Sequence, residues 1–200
     1  MLLAFEGIDG SGKGEQIRLL ASYLRQKKIR YRIHKYPTKK AKQAFLHLKR
    51  KASIPADRLA EIFIKDIMAG QKKIEKELNA GFVVICDRYL HSTLAYQGVG
   101  VGYRGLRQMI LSLGAHTPDL VFVLDLDPTI GKRRKFAQKA LDRHENDVKF
   151  LAEVRKNYMK MVQDGFLSYG FAVLDASKPK EEVFASVLSH LEPMITRMGH

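Results

Sequence analysis

Apolar positions along the chain follow two rhythms. Continuous runs at Leu2 to Phe5, Phe82-Val83-Val84-Ile85-Cys86 and Leu120-Val121-Phe122-Val123-Leu124 are too short for helices and partly β-branched, which predicts strands buried on both faces. Between these runs apolar residues recur at helical spacing. Ile17, Leu19, Leu20 and Leu24 predict a helix over about 13–27, and Leu59, Ile62, Phe63, Ile67 and Ile74 predict one long helix from Pro55 to Asn79, stopped by Gly81. A strand from Tyr31 to Tyr36 is closed by Pro37, with lysine-rich helical sequence after it. Beyond Leu124 come a basic stretch to Arg143, a helix over about 147–163, a short strand around Phe171 to Leu174 and a last helix from Lys180 to about Arg197. Strands separated by helices throughout predict an α/β fold: a parallel sheet of about five strands, helices on both faces and right-handed crossovers. Neither an internal repeat nor a flexible linker interrupts residues 1–200, so a single domain is expected.

Composition narrows this picture in three ways. With 46% hydrophobic and 9% aromatic residues in 200, the chain reads as globular rather than disordered. No apolar run approaches the ~18 residues of a membrane span, and the N-terminus enters the first strand at once, which argues against a signal peptide as well. The lone cysteine, Cys86, cannot form an internal disulfide and fits a reducing, cytoplasmic setting as an inert core thiol. A formal net charge of +14 calls for polyanionic partners, and nucleotides and nucleic acids both qualify. Most basic clusters (27–28, 39–40, 49–51, 72–73) read as solvated helix faces, and only 132–135 falls where a phosphate-handling lid belongs.

The chemistry concentrates in Gly7-Ile8-Asp9-Gly10-Ser11-Gly12-Lys13, which follows a predicted strand and opens a predicted helix. In that context glycines let successive N–H groups curl around a phosphate, the helix N-terminus adds positive potential and Lys13 supplies a mobile cation, so this is the expected ATP site. A Ser or Thr normally follows the lysine to ligate Mg²⁺, but here Gly14 and then Glu15 follow. Gly12-Lys13-Gly14 with Gln16 is similar to the adenylate kinase form of the loop, where the metal is held largely through waters. In an open parallel sheet ligands sit beyond the carboxyl ends of strands. Three such ends are polar here: the phosphate loop, Tyr36-Pro37-Thr38 and Asp87-Arg88-Tyr89. Together they supply a donor loop, a carboxylate for hydrated Mg²⁺ and an arginine for an acceptor phosphate, although Asp87-Arg88 alone also reads as an ordinary surface pair. The run Gly98-Val99-Gly100-Val101-Gly102 follows a helix rather than a strand and is expected to be a glycine-rich connection, not a second phosphate loop.

Several of these stretches, taken together, resemble thymidylate kinase. They are Phe5 to Lys13, Asp87-Arg88-Tyr89 with Ser92, Ala95-Tyr96-Gln97-Gly98, Thr117-Pro118-Asp119-Leu120, Leu124-Asp125 and Asp142-Arg143-His144-Glu145, in the family's order over nearly the whole chain. The resemblance implies a P-loop NTPase-type three-layer α/β/α fold with a basic lid at about 129–146. It also implies transfer of the ATP γ-phosphate to dTMP with Mg²⁺, in a protein that is commonly a homodimer. By the same resemblance Lys13, with Gly7, Asp9, Gly10, Ser11, Gly12, Gly14 and Glu15, surrounds the donor phosphates. Asp9 approaches the acceptor sugar, Arg88 holds the acceptor phosphate and Asp87 serves the metal. Phe63 stacks on the base, Ser92 and Gln97 meet its edge, and Tyr96 and Tyr158 pack beside sugar and base. Gly10 is not basic, and family members of that kind take the catalytic cation from the lid, where Arg134 and Arg143 match. Three departures stand out: Gly14 and Glu15 in place of hydroxyl residues, Ile67 where a Phe-x-x-Asp-Arg pattern from Phe63 has arginine, and Phe136 and Gln138 where bacterial relatives often have lid arginines. A competing reading remains at this point: a non-enzymatic or weakly hydrolysing P-loop protein that binds nucleic acid through its basic surface.

Overall fold

A computed structural model describes residues 1–49, 51–136 and 147–198 of the chain. Its strands are β1 (Leu2–Glu6), β2 (Tyr31–Lys35), β3 (Val83–Asp87), β4 (Leu120–Asp125) and β5 (Phe171–Asp175). The described helices are α1 (Lys13–Gln26), α2 (Lys42–Leu48), α3 (Ala56–Met68), α4 (Gln71–Asn79), α5 (Leu90–Val101), α6 (Tyr103–Leu111), α7 (Pro128–Phe136), α8 (Val148–Gln163) and α9 (Lys180–Met198). The five strands form one all-parallel sheet in the order β2-β3-β1-β4-β5. Every residue of β1 and β3 is buried, as is β4 up to Leu124, so both faces of the sheet centre are covered, as the continuous apolar runs require. Phe5 and Phe122 stack across the β1–β4 pair with ring centroids 4.8 Å apart. Each such fully buried side chain contributes roughly 1.5–3 kcal/mol of transfer free energy, which anchors the strand ends that carry the polar groups. No helix among the described residues is long and apolar enough to cross a membrane.

The order of strands places the site. From β1 the chain goes to β2 at one edge and back to β3, then crosses to β4 and β5 on the other side, so the loop after β1 sits at the switch in strand order where a crevice opens. Tyr36-Pro37-Thr38, after β2, and Asp87-Arg88-Tyr89, at the end of β3, reach the same edge because β2 and β3 pair in register, Lys35 opposite Asp87.

Two expectations need correction. The single helix over 55–79 is two helices, α3 and α4, divided at Ala69-Gly70. A Cβ on Gly70 would lie 2.4 Å from the Tyr36 hydroxyl, so the chain turns where a side chain from the end of β2 is wedged against it. Gln71 then stitches the break, its amide donating to the Ile67 carbonyl at 3.1 Å while its oxygen accepts from the Tyr89 hydroxyl at 2.9 Å. The glycine-rich run 98–102 is likewise not a connection but the last turn of α5, with Gly102 (φ 100°) turning the chain into α6. Its glycines serve packing: a Cβ on Gly100 would come within 2.9 Å of the Ala56 Cβ at the start of α3.

Candidate active site

The loop after β1 is held by backbone contacts that leave no room for a side chain at Gly7 or Gly10. A Cβ on Gly7 would lie 2.5 Å from the Leu124 carbonyl oxygen, and one on Gly10 would lie 2.4 Å from that of Gly131 in α7. The loop is therefore pressed against the end of β4 on one side and against α7 on the other. It delivers the N-terminus of α1, where the Glu15 and Gln16 N–H groups bond the Gly12 carbonyl, into a cavity lined by residues 9–16. Lys35, Asp87, Arg88, Arg134, Lys135, Lys178 and Lys180 complete the walls, so its field is strongly positive. Lys13 arches over the loop, its ammonium donating to the Gly7 and Ile8 carbonyls at 2.9 and 3.0 Å. Burial first, and the Arg88 guanidinium second, bring its pKa down to about 7, with Asp9, Asp87 and Glu6 opposing the fall. An anion in the loop would favour the charged ammonium again.

Glu15, the carboxylate that replaces a hydroxyl residue, borders the cavity but is neutralised from its side. Arg18 grips it through Nε and NH2 at 3.1 and 2.7 Å, and the Lys180 ammonium stands 3.5 Å away. Those bonds from Arg18 hold its carboxyl down at about 2.

Arg88 sits just beyond β3 in the left-handed region of backbone space (φ 69°), a conformation rare outside glycine. The kink turns its guanidinium toward the phosphate loop. NH2 donates to Asp9 Oδ1 at 2.6 Å, NH1 donates to Ser92 Oγ at 2.9 Å and to the Gly7 carbonyl at 3.3 Å, and the group lies over the Tyr96 ring. Tyr96 donates its hydroxyl to the other oxygen of Asp9 at 3.1 Å. Burial alone would raise the Asp9 pKa, but Arg88, then Lys13 and Lys135, hold the carboxyl well below the usual range. This cluster opens into a second cavity of about 680 Å³, counting its mouth, whose apolar walls include Leu48, Phe63, Ile67 and Tyr89. Asp66, Thr93 and Gln97 supply polar groups, and Asp9, Tyr36, Pro37 and Arg88 border both cavities. The molecule thus presents two joined binding spaces, one built around a phosphate loop, with an arginine and a carboxylate at the junction.

A family model for thymidylate kinase matches residues 5–187. The chain belongs to the thymidylate kinase family. It is 33% identical over 202 aligned residues to a thymidylate kinase of Carboxydothermus hydrogenoformans, covering 95% of this chain and 96% of that one. It is 32% identical to a thymidylate kinase of Symbiobacterium thermophilum (98% and 95% covered) and 32% identical to a probable thymidylate kinase of Archaeoglobus fulgidus (98% and 96% covered).

Against the family expectations the structure distributes the named residues unevenly. Phe63, Ser92, Tyr96 and Gln97 all line the second cavity. Tyr158 does not: it lies beneath, fully enclosed, its hydroxyl 3.0 Å from Glu6 Oε2 and 2.9 Å from Ser92 Oγ. Asp87 borders the first cavity with Oδ2 2.8 Å from the Lys35 ammonium. Arg134 also borders it, but its guanidinium donates to the Ala176 and Ser177 carbonyls at 2.8 and 3.3 Å, tying α7 to the loop after β5. Arg143 and lid residues 137–146 lie outside the described residues. Ile67 is buried against the second cavity, whose charged lining residues are Asp9, Asp66 and Arg88, so no lysine takes the place of the missing arginine there.

Sequence reasoning missed three supporting residues. Asp66 accepts from the Thr38 N–H at 2.6 Å and from its hydroxyl at 2.5 Å, pinning the turn after β2 to α3. Lys35 meets Asp87 because their strands pair in register, a contact that strand order alone would have suggested. Glu6 ends β1 wholly buried, where a carboxylate closing a continuous apolar run is itself an anomaly. The basic residues at the start of β2, by contrast, are not part of the site. Arg30 and Arg32 both stack on Phe82, which immediately precedes β3, at the opposite end of the sheet. Among the described residues no group of three carboxylates, histidines or cysteines could hold a metal alone; of the carboxylates that border the donor cavity, Asp9 is bound by Arg88 and Glu15 by Arg18, while Asp87 meets only the Lys35 ammonium.

Proposed function

We propose that the chain transfers the γ-phosphate of ATP to dTMP, giving dTDP and ADP, and so supplies precursor for dTTP synthesis. The observation that carries this reading is the Arg88–Asp9 pair at the boundary of two joined cavities, one of them the phosphate loop's. An acceptor phosphate oxygen attacks the γ-phosphorus while its bond to the β–γ bridging oxygen breaks, so catalysis is mainly positioning and charge stabilisation. Lys13 and the amides of residues 10–14 hold the donor phosphates. Arg88 turns from Asp9 to the acceptor phosphate, and Asp9 and Tyr96 bound the sugar. Phe63 stacks on the base, with Gln97 and Thr93 at its edge, while Ser92 and Tyr158 act from behind. Asp87 would hold Mg²⁺, a metal that typically takes one or two carboxylates plus substrate phosphates, and which supplies neutralisation of the phosphate charge. The cations of α7 and the rest of the 129–146 lid complete the charge cage. We assign the chain one kinase domain, a cytoplasmic setting and a homodimeric assembly.

Steady-state turnover with ATP and a panel of dTMP, dUMP, dCMP, dGMP and AMP tests the assignment. The highest kcat/KM is expected with dTMP. Absence of turnover with every acceptor, joined to salt-dependent oligonucleotide binding, would instead favour a nucleic-acid-binding P-loop protein.

A further inference from the structure

We propose that Glu6 is the positioning residue of the acceptor-phosphate site, holding Arg88 from behind in both backbone and side chain without touching substrate. The proposal rests on the reading of Arg88 as the acceptor-phosphate ligand. Glu6 is the last residue of β1 and has no exposed surface. Each carboxylate oxygen has a separate task. Oε1 accepts the Tyr89 N–H at 2.7 Å, the first amide after the left-handed Arg88, while the Arg88 N–H is held by the Phe5 carbonyl at 3.1 Å. The kink that an L-residue disfavours is thereby clamped from both sides. Oε2 accepts the Ser92 hydroxyl at 2.5 Å and the Tyr158 hydroxyl at 3.0 Å, and that same Ser92 oxygen accepts Arg88 NH1 at 2.9 Å. One arm of the guanidinium is therefore fixed through Ser92. The other edge of the planar group carries NH2, bonded to Asp9 at 2.6 Å where the two cavities meet, and it is this side that faces an incoming phosphate.

A fully buried carboxylate is costly unless it is bonded, and every bond found here leads to the segment 88–92 or to Tyr158, which touches Ser92. Neither cavity is lined by Glu6, so its effect on substrate must travel through Arg88 and Ser92. This separates it from Asp9 and Asp87, which border the nucleotide spaces directly.

The test measures dTMP and ATP binding by calorimetry, with kcat and KM, for Glu6→Gln, Arg88→Ala and the double variant. Glu6→Gln is expected to weaken dTMP about 10- to 100-fold, the scale of a misplaced binding group, while ATP affinity stays parental. In the Arg88→Ala background the same change should cost dTMP nothing further, because the residue through which it acts is gone. Equal loss of ATP and dTMP affinity, or additive losses in the double variant, would reduce Glu6 to a general structural role and overturn the inference. Parental dTMP binding in Glu6→Gln would overturn it as well. If Arg88→Ala itself leaves dTMP binding unchanged, the acceptor-site reading fails first and the inference falls with it. Should Glu6→Gln not fold, Tyr158→Phe removes one bond to Glu6 outside the cavity and must show the same dTMP-only weakening at smaller scale. Equal dTMP affinity in that variant and the parent overturns the proposal.

Discussion

Replacing Gly131 by alanine sets two effects of opposite sign against each other. Gly131 lies inside α7, where helix propensity by itself favours alanine by about 0.8–1.0 kcal/mol. A Cβ there would lie 2.8 Å from the Asp9 carbonyl oxygen and 3.2 Å from Ile8 Cδ1. The first neighbour is backbone of the phosphate loop and cannot rotate away, so relief requires α7 and the loop to separate by roughly half an ångström. Overpacking of this kind costs about 1–3 kcal/mol, so the clash outweighs the propensity and the net change is destabilising by up to about 2 kcal/mol. Because α7 carries Arg134 and Lys135 into the donor cavity, the shift also displaces charges around the reacting phosphates. At roughly 100-fold per ångström, a half-ångström displacement should lower turnover about tenfold. Denaturant unfolding and steady-state kinetics would be run beside Gly105→Ala in α6, where a Cβ meets nothing within 4 Å. That control should gain about 0.5–1 kcal/mol and keep parental kinetics. If Gly131→Ala matched the control in both stability and turnover, the backbone contact between loop and α7 would not exist as described.

Other consequences can be measured independently. Lys13→Ala should nearly abolish turnover with little change in melting temperature, since the lost cation borders the donor cavity and bonds only the Gly7 and Ile8 carbonyls; near-parental turnover would sink the ATP-site assignment. Burial among Tyr89, Phe166 and Phe171 brings the His91 pKa down from 6.5 to about 4. Between those values the unfolded chain binds a proton that the folded chain refuses, so stability should fall by about 3 kcal/mol as pH drops through the window. Urea titrations of parent and His91→Gln at pH 7 and pH 4.5 check this, and an equal pH response in both would refute it. Ile67→Arg should lower KM for dTMP more than for a purine monophosphate, because it restores a donor beside the base; weaker dTMP use would show that position 67 does not meet the base edge. Arg134→Ala should raise KM for ATP more than it lowers kcat, since the guanidinium braces the loop after β5; an unchanged KM with a large loss of kcat would return it to a transition-state role.

Much of this molecule was written locally. The buried strands were legible because a continuous apolar run has no other stable home than the centre of a doubly covered sheet, and β1, β3 and β4 are such strands. The phosphate loop was legible because glycine spacing, a preceding strand and a following helix are all properties of adjacent residues. The family followed from motifs of the same local kind. Tertiary structure decided whatever depended on atoms distant in sequence. Periodicity continued smoothly through 69–70 because it counts apolar positions, while the break there comes from Tyr36 wedged against Gly70. Gly98 and Gly100 looked like a loop because composition cannot distinguish flexibility from close helix packing. Tyr158 carries a motif-like position, yet its hydroxyl is buried on Glu6 and Ser92. Glu6 itself became meaningful only when residues 6, 88, 92 and 158 met, because a carboxylate's role is set by the donors that surround it, and those lie in the turn after β3, in α5 and in α8.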